Sequence, residues 1–185
     1  MIQKALRLAP KRFASFKKSI ITYTDRHILD IFMDKELTFR LATKDDLLDI
    51  VRMLADDNLG ATREKFSDIL SDNYIKAFDI INSDHNQELT IVEMNGVKVA
   101  TFHLTFIQYL THQGGLRAQI EAVRTNSNFR GQGIGKKVFE YAIRRAKEKG
   151  CILIQLTTDK KRPDALRFYE EIGFVATHEG MKFKI

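Results

Sequence analysis

The stretch NFRGQGIGKKVFEYA, from Asn128 to Ala142, carries glycine at every second position from Gly131 to Gly135 and then enters an amphipathic helical pattern. The first amides of a helix have no intrahelical acceptor, and that end carries roughly half a positive charge. Glycines leave such amides open, because no Cβ stands in front of them. The chemistry this favours is anion binding, a pyrophosphate above all, with Arg130 and Lys136 flanking the amides. Behind the loop, Ile134, Val138, Phe139, Ala142, Ile143 and Ala146 share one helical face.

Spacing excludes two other phosphate loops. A P-loop needs glycine where Arg130 stands and Ser or Thr where Lys137 stands. A dinucleotide fingerprint beginning at Gly131 would need glycine at Lys136, inside a βαβ unit that the preceding hairpins do not supply. The single cysteine, Cys151, excludes a disulfide framework and fits a reducing, cytoplasmic setting; as a small strand residue it needs no catalytic role. The five histidines show no metal-ligand spacing, so no metal is expected and each takes a structural or surface role.

The chain has 185 residues, 44% of them hydrophobic, enough for one sizeable core, and no apolar run long enough to span a bilayer. The formal net charge is +6, but residues 1–24 hold six basic and no acidic residues. The remaining 24 basic residues balance the 24 acidic ones, so the body of the protein has no field to draw it onto nucleic acid or a membrane. Residues 1–36 read as a basic, partly helical N-terminal extension interrupted by Pro10. Its composition also suits an organelle transit segment.

The elements that must position the loop alternate in type. Leu37 to Ala42 reads as a strand, and Thr43 with Asp46 as a capping box opening a helix to about Ala55. Apolar residues from Phe66 to Ile81 predict a helix across 62–83. ELTIVEM and VKVATFHLTFI, joined by Asn95-Gly96, predict a hairpin with a type I′ turn. RAQIEAVRT is the next strand, CILIQL reads as a central strand, PDALRFYEEIG as a helix stopped by Gly173, and FVATHEGMKFKI as a closing hairpin. The expected fold is therefore α+β, with a mixed, mainly antiparallel sheet of about seven strands flanked by helices.

RGQGIG resembles the Arg/Gln-x-x-Gly-x-Gly/Ala signature of the GNAT superfamily of acetyl-CoA-dependent N-acetyltransferases, and DALRFYEEIGF is similar to that family's second signature. Both stand in the family's order, about 30 residues apart, and the resemblance covers residues 37–185. It implies an N-acetyltransferase domain that takes acetyl-CoA as co-substrate and an amine as acceptor, and leaves room for a homodimer. The pantetheine arm would lie beside Val123 and Arg124, and the diphosphate against Arg130, Gly131, Gln132, Gly133, Gly135 and Lys136. An alkylammonium has a pKa near 10, so a base must take its proton. Glu121 is the candidate, its side chain opposite in direction to Ile120 and Ala122; a surface glutamate or a partner for Arg124 would look the same. The family's tyrosine acid corresponds to Tyr169, which also fits a core tyrosine. Arg162 stands where the family often has asparagine. Asp56 and Asp57, in the region that would build the acceptor site, are candidates to attract a cationic amine.

Overall fold

The computed structural model describes residues 36–57 and 59–185. The N-terminal extension lies outside them, apart from Glu36.

Five strands form one sheet in chain order: β1 (Leu37–Leu41), β2 (Gln87–Met94), β3 (Val97–Gln108), β4 (Leu116–Thr125) and β5 (Leu153–Gln155). All neighbours are antiparallel except β4 and β5, which are parallel. Asn95 and Gly96, with φ of 52° and 77°, make the turn from β2 to β3, as the two-residue loop predicts. A 3₁₀ turn (Lys44–Asp46) leads into α1 (Leu47–Ala55), and α2 (Asp72–Ser83) follows. Helix α3 (Ile134–Glu148) precedes β5, and α4 (Pro163–Glu171) follows it.

Alternation along the strands sorts the side chains into two layers. Val92, Phe102, Leu104, Phe106, Ala118 and Ile120 meet Ile134, Val138, Phe139 and Ala142 of α3. On the other face Ile91 meets Leu47, Ile50 and Met53 of α1 and Phe78 of α2. Helix α4 joins the first layer through aromatic edge contacts, with Phe139 5.7 Å from Phe168 and 5.5 Å from Tyr169 between ring centroids.

The structure corrects three expectations. Residues 62–71 are not helical: Phe66 and Ile69 are exposed, and Ser71, in extended conformation, starts α2 at Asp72. The apolar run at Cys151 gives only three residues of strand, at the sheet edge, with Ile152 and Leu153 exposed. Residues 174–185 form no hairpin, because Val175, Met181 and Phe183 find no layer to enter. The sheet thus has five strands where about seven were expected. Among the described residues no helix is long and apolar enough to cross a membrane.

One buried carboxylate ties the start of α1 to the sheet. Asp46, 1% exposed, lies 2.6 Å from Arg40 and 2.7 Å from Lys98, and accepts the Thr43 amide at 2.8 Å. Arg40 also bonds Glu93 at 2.6 Å. The hydrogen bond from Arg40, helped by Lys98 and Thr43, outweighs burial and holds the Asp46 carboxyl far below the usual range. A depressed folded-state value stabilises the protein above the unfolded carboxylate's pKa near 4, and that stabilisation is lost as pH falls below it. Asp46→Ala is expected to lower unfolding stability by about 2 kcal/mol at pH 7, because Arg40 and Lys98 lose their shared buried partner and keep only Glu93 and Asp49. Denaturant titrations at stepped pH should also show that the variant's stability falls less than wild type's between about pH 4 and 2.

Candidate active site

Strand β4 is the spine of the site. It pairs with β5 only from Arg117 to Gln119, opposite Leu153 to Gln155, yet continues to Thr125. From Ile120 onward the edge facing β5 has no strand partner among the described residues. The other edge carries a bulge. Thr101 pairs with Arg124 and His103 with Glu121, so Ala122 and Val123 together face Phe102. Ala122 sits at φ 53°, a left-handed conformation costing a non-glycine residue about 1 kcal/mol. The expected alternation holds up to Glu121 and is reset after it. Val123 is half-buried against the core, and the half-buried Arg124 donates to Val123 O at 2.9 Å.

The strand delivers the chain to the glycine loop. Asn126 Oδ1 accepts the Asn128 amide at 3.1 Å, bending Ser127–Phe129 into a 3₁₀ turn. Gly131 and Gly133 then take φ of 71° and 79°, and a Cβ on either would meet nothing within 4 Å. Lys137 is the first residue of the α3 region whose amide finds a main-chain acceptor, Gly133 O at 3.3 Å. Two candidate residues also make contacts within the protein. The Arg130 amide already donates to Ser127 O at 3.3 Å. A Cβ on Gly135 would lie 3.4 Å from Phe168 Cζ of α4, in ordinary contact with that ring. Gln132 donates to Asn128 O at 3.3 Å, and Lys136 is exposed.

Ion pairs fasten the segment between α1 and α2 across this region. Arg130 turns back to donate to Thr125 O at 3.2 Å, to Asp56 O at 2.7 Å and to Asp56 Oδ2 at 3.1 Å. Arg162 donates to both oxygens of Asp57 at 2.8 and 2.7 Å, and Arg124 Nε lies 3.6 Å from the same carboxylate. Arg63 meets Asp159 at 3.0 Å. Burial raises the Asp57 pKa, but the Gly60 amide, Arg124, Arg162 and the Leu59 amide together hold it below the ordinary value. Asp56 and Asp57 are therefore already neutralised by arginines, which corrects the expectation that they would attract a cationic amine. Arg162 in place of asparagine finds its use in the same pair.

Tyr169 is half-buried between Phe139 and Phe174. Burial pushes its phenol above the usual value, and Arg124 and Arg162 pull it partly back. Glu121 is exposed and accepts from Gln119 Nε2 at 3.3 Å, while Gln119 accepts from Gln155 at 2.9 Å. Cys151 is half-buried, and burial raises its thiol pKa. A surface hollow of ≈ 320 Å³ at the other end of α1, lined by Lys44, Leu48, Asp68 and Ile75, contains none of these residues.

The open edge of β4 leads through the glycine turn into α3, and the model of the acetyltransferase (GNAT) family matches residues 49–174. The chain belongs to the GNAT acetyltransferase family. It resembles a transcriptional regulator from Bacillus halodurans, with 53% identity and a TM-score of 0.79, covering 81% of this chain and 100% of that one. It is 30% identical over 95 residues to the aminoalkylphosphonate N-acetyltransferase of Salmonella typhimurium, covering 51% of this chain and 61% of that protein. Over 60 residues it is 38% identical to N-alpha-acetyltransferase 30 of Saccharomyces cerevisiae, covering 32% of this chain and 34% of that protein. The GNAT chain thus spans about three-fifths and one-third of these two curated relatives.

Asp57→Asn leaves Arg124 and Arg162 facing each other without their shared carboxylate. The expected result is a loss of about 2 kcal/mol in unfolding stability. Hydrogen exchange should quicken at residues 56–64 and 157–162 while α3 keeps its protection. Uniform protection in both proteins would contradict the fastening role.

Proposed function

We propose that residues 37–185 transfer the acetyl group of acetyl-CoA to a primary amine by direct attack, with Glu121 as base and Tyr169 as acid. The observation that carries this reading is the continuity of the open β4 edge with the glycine-lined start of α3. From Glu121 the strand runs at most about 13 Å to Thr125, and the 3₁₀ turn at Ser127–Phe129 carries the chain on to the glycines, so diphosphate at the helix start directs the pantetheine arm back along β4 toward Glu121. The membership of the family supports acetyl-CoA as the donor. The relatives' names, an aminoalkylphosphonate and an N-alpha acetyltransferase, support an amine as the acceptor without choosing one.

Bound acetyl-CoA supplies an activated acyl carbon and a thiolate leaving group. Glu121 takes a proton from the acceptor ammonium, directly or through water, and the freed lone pair forms the C–N bond. Tyr169 keeps its proton at neutral pH because burial favours the uncharged phenol, so it is charged with a proton when the C–S bond breaks. Arg124 and Arg162 stabilise the phenolate formed as that proton leaves. The lone half-buried Cys151 suits a cytoplasmic setting.

A second reading, a non-catalytic domain that binds acetyl-CoA as a sensor or scaffold, draws on the description of the Bacillus halodurans relative as a transcriptional regulator. Thiol release from acetyl-CoA, followed with an aminoalkylphosphonate, an aminoglycoside, glucosamine 6-phosphate and a peptide with a free α-amine, separates the two. The enzyme reading expects release with at least one amine. Glu121→Gln and Tyr169→Phe should each lower kcat by about 10²-fold or more, with CoA affinity little changed. Binding of CoA without release for any amine would favour the sensor.

A further inference from the structure

By sequence His103 has only a structural or surface role, and the fold puts it beside the proposed base. It lies on β3 directly opposite Glu121 on β4, and directly opposite residues share a face with Cβ atoms about 4.5–5.5 Å apart. That face is the one covered by α1 and α2, since the neighbours Phe102 and Leu104 point into the α3 layer. The pair stands at the bulge, where Ala122 accepts a left-handed backbone immediately after Glu121. His103 Nε2 is shielded from solvent and has no hydrogen-bond partner among the described residues. A polar ring atom so enclosed carries a desolvation cost that a purely structural residue would avoid.

Resting on the acetyltransferase reading above, the geometry points to His103 as a relay behind Glu121, holding the proton that Glu121 removes from the acceptor amine. Glu121 is exposed and the ring opposite it is enclosed, so His103 offers the abstracted proton a second acceptor away from the substrate. In the step, the ammonium N–H bond breaks and Glu121 gains a proton. Glu121 then passes that proton to neutral His103, and Glu121 is again anionic beside an imidazolium. The free amine forms the C–N bond, the C–S bond breaks, and Tyr169 protonates the thiolate. Tyr169 regains its proton from the nitrogen of the new amide, and His103 later releases its own to solvent.

The surroundings fit a ring that is neutral at rest. Burial lowers the His103 pKa, and Glu121 is the ionisable group that opposes it. Across on β2 the register partner is apolar Leu89. On that face the helices pack Leu47, Ile50, Met53 and Phe78 against Ile91 and Leu89 of β2. The next cations on the same face, Arg124 and Arg117, stand opposite Thr101 and Ile107. Arg124 is engaged with Asp57, and Arg117 lies over the Tyr109 ring. His103 is thus a positioning residue, acting through Glu121.

Two measurements test this. An NMR titration of the histidine ring protons in wild type and Glu121→Gln should show His103 titrating below the ordinary imidazole range, and lower still in the variant. An unchanged midpoint in Glu121→Gln would overturn the coupling. For whichever amine of the panel releases thiol, His103→Phe and His103→Gln should each lose about tenfold or more in kcat, with KM for acetyl-CoA kept within about twofold. The acid limb of the pH profile should also lose the step that coincides with the His103 midpoint found by NMR. The double variant with Glu121→Gln should be no slower than Glu121→Gln alone, because the path runs through that carboxylate. An intact acid limb in both His103 variants, or losses that multiply, would sink the relay. If no amine releases thiol, the acetyltransferase reading fails while the ring titration still decides whether the two residues are coupled.

Discussion

Strand β4 keeps its parallel neighbour for three residue pairs and then continues to Thr125 without it. Main-chain N–H and C=O groups are obligatory hydrogen-bonding groups, so such an edge must find water or a ligand. Its direction is set by the long antiparallel pairing with β3 on the other side, which runs nearly the whole length of both strands. The bulge at Ala122 and Val123 adds local twist where the parallel pairing has just ended. The slot therefore comes from a conflict between two neighbours of one strand: β3 follows it throughout and β5 does not. On the account proposed here the pantetheine arm takes the place β5 leaves.

What happens at the end of the slot depends on the same chain direction. Thr125 leads through one 3₁₀ turn into Gly131 and Gly133, whose positive φ values turn the chain so that α3 begins with its amides toward the loop. Arg130 draws Asp56 against the strand end, while Arg162 and Arg124 draw in Asp57. The segment between α1 and α2 is thus held at both rims by side chains from loops that follow β4 and β5. This couples the region expected to meet the acceptor to the region expected to meet the donor. Arg124 and Arg162 belong to both, since their charges also act on Tyr169.

The elements legible in the sequence were those with strong local grammar. The Asn95-Gly96 hairpin, the capping start of α1, the period of α3 and the Gly173 stop of α4 each depend on residues a few positions apart. The glycine loop and Tyr169 helix were legible because two spaced motifs identify the family. What failed were patterns that burial did not honour: Phe66 and Ile69 repeat at helical spacing but face solvent, and the run at Ile152 and Leu153 is apolar yet edge-exposed. Met181 and Phe183 alternate as a strand would and pair with nothing among the described residues. Long-range pairs were out of reach altogether. Asp57 and Arg162 are 105 residues apart, and nothing local at either marks the other. His103 and Glu121 meet only through register across the bulge, which no count along one strand reveals.

The central claim is that main-chain amides at the start of α3 receive the diphosphate of the coenzyme. Backbone amide NMR with CoA, and separately with pantetheine, which lacks the diphosphate, tests it most directly. The account predicts that CoA shifts the amides of Gly131, Gly133, Ile134 and Gly135, and that pantetheine leaves them in place while moving those from Glu121 to Arg124. CoA that binds and leaves the Gly131–Gly135 amides unmoved would contradict it.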